Sequence, residues 1–187
     1  TTGSGLKVDS SGRAWITGMT ASTDWPVTTG KTNAGNYDVF VTALNPSGSG
    51  IAFSTLIGGT STDGGRGIDF DSAGNVYVGG FAASTNYPVK NAEQGTSGGS
   101  YDFVRTIFLP DLSDTICSTY FGGTGSDYGQ DIAAGPTYMA RVAGISSASW
   151  KQVPTGSSIF GGGGGYDGAV VSLNCGGANV SVENMAT

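Results

Sequence analysis

Two aspartates follow the same tripeptide, Asp63 in Gly-Gly-Thr-Ser-Thr-Asp and Asp127 in Gly-Gly-Thr-Gly-Ser-Asp. Carboxylates repeated in this way, near one mouth of a ring of repeats, could hold a hard cation such as Ca²⁺ or hydrogen-bond a sugar, because oxygen ligands suit hard cations. The competing reading is a turn carboxylate that accepts backbone N–H bonds between repeats, and recurrence in one structural register favours it. Asp38, Asp102 and Asp167 each follow a tyrosine. A Tyr-Asp pair can bind carbohydrate by stacking and hydrogen bonding, but recurrence again favours a strand-opening turn. Trp25 and Tyr87 each precede a proline at equivalent loop positions and are candidate ligand-stacking residues; Trp150 lies nearby but out of step. The stretches DSSGR at Asp9 and DSAGN at Asp71 are too short for a Ca²⁺ loop and lack its bidentate Glu, so tight turns are expected.

Other chemistries are excluded by residue type. The chain has no histidine, which removes His-based triads, His zinc sites and c-type haem attachment. Cys117 and Cys175 fit no metal spacing. They are expected as two free buried thiols, or as a disulfide between successive repeats if the compartment is oxidising. The glycine run from Gly161 to Gly165 is not followed by Lys-Ser/Thr, so it is a flexible loop and no phosphate cradle. No pair of carboxylates stands out from the repeat pattern as a glycosidase pair. Asn179 is the glycosylation candidate, in the sequon Asn179-Val180-Ser181. No catalytic or metal residue is assigned. Ca²⁺ at Asp63 and Asp127 is the cofactor considered against none.

The elements that must position these residues are short strands. Glycine accounts for 34 of 187 residues, well above a typical share of about 7%. The glycines fall mostly in pairs between apolar runs, which is the punctuation of an all-β chain. No apolar run with helical spacing reaches a dozen residues, and no helix is expected. Net charge is −6 with eight Lys and Arg. A nucleic-acid surface needs a basic stripe to displace counterions, so nucleic acid is not an expected partner. No stretch of about 18 apolar residues exists to span a membrane. The chain opens Thr-Thr-Gly-Ser-Gly without an initiating Met, as expected of a processed chain or an excised segment. Few charges and many Thr, Ser, Gly and Asn suit an extracellular or cell-surface protein.

A motif from Val8 to Pro26 returns 62 residues later from Phe70 to Pro88, with Asp9 under Asp71, Gly12 under Gly74, Gly18 under Gly80 and Pro26 under Pro88. Copying in register means a repeat architecture. The first unit predicts strands at Leu6–Val8, Arg13–Met19, Tyr37–Leu44 and Ile51–Ile57. The second predicts Gly67–Phe70, Asn75–Gly80, Tyr101–Leu109 and Thr115–Phe121. The third is more divergent: Asp131–Ala134, Tyr138–Gly144, Tyr166–Asn174 and a weak fourth strand in Asn179–Val182, with Val153-Pro154 in place of the aromatic-Pro. Four short antiparallel strands per repeat read as propeller blades, and a blade cannot bury both faces alone, so neighbours must stack.

The order Asp-x-x-Gly-Asn-x-Tyr-Val-x-Gly, aromatic-Pro, Tyr-Asp-x-Phe-Val and Ser-Thr-Tyr/Leu-x-Gly-Gly-x-x-x-Asp resembles the SBBP-type β-propeller repeat. The resemblance covers essentially the whole chain and is strongest over residues 5–134; the third unit departs at its first turn and fourth strand. It implies a propeller fold in secreted and cell-surface proteins of bacteria and archaea, often in a scaffold or adhesion role, and supplies no active site.

The expected fold is all-β, a partial β-propeller of about three four-stranded antiparallel blades, closed by oligomerisation or by further chain segments; a packed β-sandwich is the alternative. Residues 1–187 form one domain, with blades at roughly 5–58, 66–122 and 130–185. Val8, Ile68, Phe70, Ile132, Val76, Val78, Phe40, Val104, Val170 and Leu173 are the expected core. The expected function is non-enzymatic: a structural or assembly protein of a surface layer, filament or adhesin. A lectin-like carbohydrate-binding module using Asp63, Asp127, Trp25 and Tyr87 is the alternative. The expected partner is a second copy or another protein chain, with surface polysaccharide for the alternative. The simplest closure is a dimer of six blades, with the first unit of one copy packed on the third unit of the other.

Overall fold

Tight turns cut the chain where the repeat predicts them. Gly12 and Gly74 sit at φ 81° and 82°, a backbone region that costs glycine little. Each closes a turn in which Asp9 or Asp71 accepts two backbone N–H bonds, from Ser11 and Arg13 and from Ala73 and Asn75. The computed structural model describes residues 1–29, 31–136, 138–147, 158–160, 166–173 and 175. Among these there is no helix, and hence none long and apolar enough to cross a membrane.

Three antiparallel four-stranded sheets form. In the first, β1 (Thr2–Val8), β2 (Ala14–Thr20), β3 (Asp38–Leu44) and β4 (Ile51–Ile57) pair in chain order. The second repeats this with β5 (Asp63–Phe70), β6 (Val76–Ala82), β7 (Asp102–Phe108) and β8 (Thr115–Phe121). The third contains β9 (Asp127–Ala134), β10 (Ala140–Ser146), β11 (Ser158–Phe160) and β12 (Asp167–Leu173), in the spatial order β9-β10-β12-β11. Its outer strand therefore comes from the connection between the second and third strands. The fourth strand predicted at Asn179–Val182 lies outside the described residues.

The sheets stack face on face and do not close, as the blades of a partial propeller. β5 packs across β1, β2 and β3, and β9 packs across β5, β6 and β7. Each junction has its own apolar core. The first joins Trp15, Val39, Val41, Ala43 and Ile57 of the first sheet to Ile68, Val76, Val78 and Val104 of the second. The second joins Tyr77, Phe103, Ile107 and Phe121 to Ile132, Ala140, Val142 and Ala169 of the third. Alternation along β6 explains this division, since Val76 and Val78 point to one neighbour and Tyr77 to the other. Cys117 and Cys175 form a disulfide that ties β8 to the segment after β12, with Cα atoms 5.9 Å apart and a sequence separation of 58. The disulfide replaces the expectation of two free thiols. Closing a loop of that length contributes about 4 kcal/mol in the chain-entropy account.

Three placements correct the expected core. Val8 is 60% exposed, and its neighbour Leu6 68%. β1 pairs Leu6 with Ile16 as β5 pairs Ile68 with Val78 and β9 pairs Ile132 with Val142. Ile68 and Ile132 are buried because a preceding sheet covers them; Leu6 occupies the same register position on a face that no sheet covers among the described residues. Phe70 and Val170 are half-buried rather than buried, Phe70 with its ring 5.5 Å from that of Trp15. The side chain of Leu173 lies outside what the structure describes. Ile68, Ile132, Val76, Val78, Phe40 and Val104 are buried as expected.

Candidate functional site: buried carboxylates at the sheet junctions

The third strand of one sheet and the first strand of the next begin side by side. Tyr37 bridges to Thr62 and Tyr101 to Ser126 in parallel fashion, with Asp63 N donating to Tyr37 O at 2.8 Å and Asp127 N to Tyr101 O at 2.7 Å. This brings Asp38 beside Asp63 and Asp102 beside Asp127. Glycines make the room. A Cβ on Gly58 would lie 2.3 Å from Asp38 Oδ1, and one on Gly122 would lie 2.3 Å from Asp102 Oδ1 and 2.6 Å from Asp127 Oδ2. The Gly-Gly pairs that end β4 and β8 thus leave space for paired carboxylates.

Asp63 and Asp127 are fully buried, as the first residues of β5 and β9. The sequence placed them ahead of those strands. Asp63 Oδ2 accepts from Gly59 N at 2.7 Å and from Ser84 Oγ at 2.7 Å, and Oδ1 accepts from Ser84 N. Asp127 Oδ2 accepts from Gly123 N at 2.8 Å, and the Ser146 hydroxyl donates to Oδ1. Donors therefore fill both carboxylates, which tie the end of one sheet to the start of the next. Among the described residues no three His, Cys, Asp or Glu side chains are grouped to hold a metal ion.

Asp38 and Asp102 differ. Each Oδ2 accepts one short bond, from Ala34 N at 2.7 Å and Gly98 N at 2.6 Å. Each Oδ1 is buried without a hydrogen-bond partner. Burial pushes the Asp38 carboxyl up, and the Asp63 charge adds to this against the bonds from Ala34 and Gly35. Burial raises Asp102 too, with Asp127 adding, and it raises Asp63. The Asp9 turn goes the other way. Burial there is outweighed by bonds from Trp15, Arg13 and Ser11, and the carboxyl falls to about 2.

A pH dependence follows from these directions. Where a folded carboxyl titrates above its unfolded value near 3.8, the folded state holds more protons above that pH, so stability falls as pH rises through the folded value. Asp38, Asp63 and Asp102 act in this sense. Asp9 acts in the opposite sense, its contribution being lost as pH drops from about 4 toward 2. The melting temperature is expected to rise as pH is lowered from neutral toward the unfolded carboxylate value near 3.8 and to fall below it. Asp38→Asn with Asp102→Asn should flatten the upper limb. Calorimetry across that range checks this, and a melting temperature that falls steadily from pH 7 downward contradicts it.

The other predicted residues are not brought together with these. Trp25 is half-buried with its ring 4.5 Å from Phe40, and its indole N–H is buried without a partner. Tyr87 is 3% exposed. Its hydroxyl pairs with Thr106 at 3.0 Å, its N–H donates to the Tyr120 hydroxyl, and its ring lies against Tyr120, so it offers no face to a ligand. Asn179, Trp150, Val153-Pro154 and the Gly161–Gly165 run lie outside the described residues, as does the side chain of Asp167. Two features carried no signal in the sequence reading. One is a ledge of tyrosines, with Tyr101 and Tyr128 rings 4.9 Å apart and Tyr128 and Tyr166 rings 6.1 Å apart. The other is Arg105, fully buried in β7 where β3 has Val41.

Comparison with known proteins agrees with the geometry. The β-propeller repeat model of the SBBP family matches residues 52–88, so that stretch carries an SBBP-type repeat. Regulatory protein FlaEY of Caulobacter vibrioides is 31% identical over 118 residues, which cover 61% of this chain and 11% of that protein. The chain thus spans a small part of that relative's length. Three unclosed four-stranded antiparallel sheets, with the matched repeat running from the first into the second, are consistent with the blades of a partial propeller.

Proposed function

We propose that the chain is a non-enzymatic structural module of an extracellular or cell-surface assembly, and that its open blade faces are where it assembles. Leu6 carries this reading. It stands in the register of Ile68 and Ile132, both buried by a preceding sheet, and is 68% exposed. The complementary open face belongs to the third sheet, where Ala143 and Gly168 are exposed at the positions of Gly79 and Phe103. The occupant is a second copy packed head to tail, Leu6 of one on Ala143 of the other. Arg141 takes the place of Trp15 and Tyr77 on that face, paired with Ala133 as they pair with Lys7 and Asp69. The contact between copies is therefore less apolar than the internal junctions, and concentration-dependent.

Sedimentation across a dilution series tests this. The chain should self-associate, Leu6→Asp should sediment at the 18.7 kDa chain mass with an unchanged circular dichroism spectrum, and EDTA should alter neither, because the module needs no metal. A parent chain that is monomeric at every concentration overturns the reading. Two further features favour a non-enzymatic role. Asp63 and Asp127 spend their lone pairs on the fold. In the cleft lined by Lys31, Asp38, Leu56, Phe108, Ser113 and Asp114, the Ser113 hydroxyl donates to Asp111 at 2.6 Å within a tight turn and Asp114 pairs with Lys90 at 2.7 Å, so these polar groups serve local structure. A second reading, a lectin-like carbohydrate-binding module, is favoured by the tyrosine ledge, whose outermost ring, Tyr166, is exposed; a glycan array with Tyr166→Ala as control separates the two.

A further inference from the structure

Arg105 is the largest charged side chain buried in the described structure, and the fold does not require it. Its counterparts across the repeat are Val41 in β3 and Val170 in β12. Its Nη2 donates to Cys117 Sγ at 2.9 Å, while Nε and Nη1 are buried without a hydrogen-bond partner. Burial of the cation is only partly offset by Glu93 and Tyr77, and its pKa is pushed down to about 10. Two donors of the guanidinium stay unmet by hydrogen bonds. The atom that its third nitrogen does reach is the Cys117 sulfur, which can become an anion.

The disulfide is also asymmetric. Cys117 is fully buried in β8, whereas Cys175 is only partly buried at the margin of the second core. Thiol–disulfide exchange runs in the direction set by which sulfur the incoming thiolate can reach and which sulfur leaves as the better thiolate. A neighbouring Arg lowers a thiol's pKa and so makes a better leaving group.

We propose that Cys175 is a site of modification by small thiols, with Cys117 as the leaving thiolate that Arg105 stabilises. An incoming thiolate attacks Cys175 Sγ. The new S–S bond joins it to Cys175, the Cys117–Cys175 bond breaks, and its electron pair leaves on Cys117 Sγ, against the guanidinium. No proton need be supplied at the buried sulfur. A second thiolate that attacks the mixed disulfide releases Cys175 as a thiolate and carries away the oxidised small-molecule disulfide. The clamp between the second and third sheets is then open, and reversal by an oxidised small thiol recloses it.

Reduced glutathione at neutral pH is the probe, with the full folded chain, quenching by iodoacetamide and peptide mass mapping. Glutathione is expected on Cys175 and carbamidomethyl on Cys117. Arg105→Val, which installs the residue of the sister strands, should slow adduct formation about tenfold or more, as expected when the leaving thiol loses its cation. It should also raise the pKa of the reduced Cys117 thiol, read by thiolate absorbance. Arg105→Lys, which keeps a charge, should retain much of the rate even if the Val variant folds poorly. Glutathione on Cys117, equal rates for the parent and both variants, or reaction only under denaturing conditions each overturns the proposal.

Discussion

Val78→Asp is expected to leave the chain unfolded at 25 °C. Val78 is 3% exposed in the middle of β6, pairs with Ile68 on one side and Thr106 on the other, and sits in the core shared with Trp15, Val39 and Val41. Losing its buried surface costs about 2 kcal/mol. An unpaired carboxylate in the same place adds about 3–5 kcal/mol. Arg105, a buried cation in β7, cannot offset it, because Arg105 alternates with Thr106 and faces the third sheet. The sum approaches the whole stability of an ordinary domain, about 5–15 kcal/mol. Ile16→Asp is the informative comparison. Ile16 holds the same register position in β2 but faces the uncovered side of the first sheet and is half-buried, so the loss there should stay near 1 kcal/mol. Urea melts followed by circular dichroism measure both. Parent-like melting of Val78→Asp would remove β6 from between the sheets.

The sequence was most legible where apolar runs end in strong punctuation. Ile51–Ile57 and Thr115–Phe121 are bounded by a polar turn and by Gly-Gly, and both strands form as read. It misled where glycine lies inside a strand. The first strand of the second unit was read from Gly67, yet Gly64 and Gly65 belong to β5, packed so tightly that a Cβ on Gly65 would sit 2.2 Å from Thr17 Oγ1 of the neighbouring sheet. The start of β9 was misread in the same way, and with it the position of Asp127. At the outer edge of the third sheet, Ser158–Phe160 is too short to show alternation. That Asp63 and Asp127 accept backbone N–H bonds between repeats was legible from recurrence, whereas their full burial was not. Arg105 was not legible. Its sister residues are valines, and nothing local marks a cation that meets a disulfide made by two other segments.

Gly80→Ala is expected to cost about 3 kcal/mol or more, as overpacking against atoms that cannot yield does. A Cβ there would lie 2.0 Å from the carbonyl oxygen of Gly64. The same distance separates a Cβ on Gly18 from Thr2 O and one on Gly144 from Tyr128 O. The atom in the way is backbone in all three sheets, so no rotamer change relieves the clash. It falls where the first and second strands slip register, between Gly3 and Gly5 and between Gly65 and Gly67. To admit the methyl group, β5 must move away from β6. That movement would break the alignment of Asp63 with Ser84 and open the junction with the first sheet. For a chain of this size the loss corresponds to a fall in melting temperature of about 6–12 °C. Gly95→Ala is the control, because a Cβ there meets nothing within 4 Å, and its effect should stay within about 0.5 kcal/mol. If Gly80→Ala melts with Gly95→Ala, the glycine is there for turn flexibility and the close strand approach at the bulge is not what the repeat preserves.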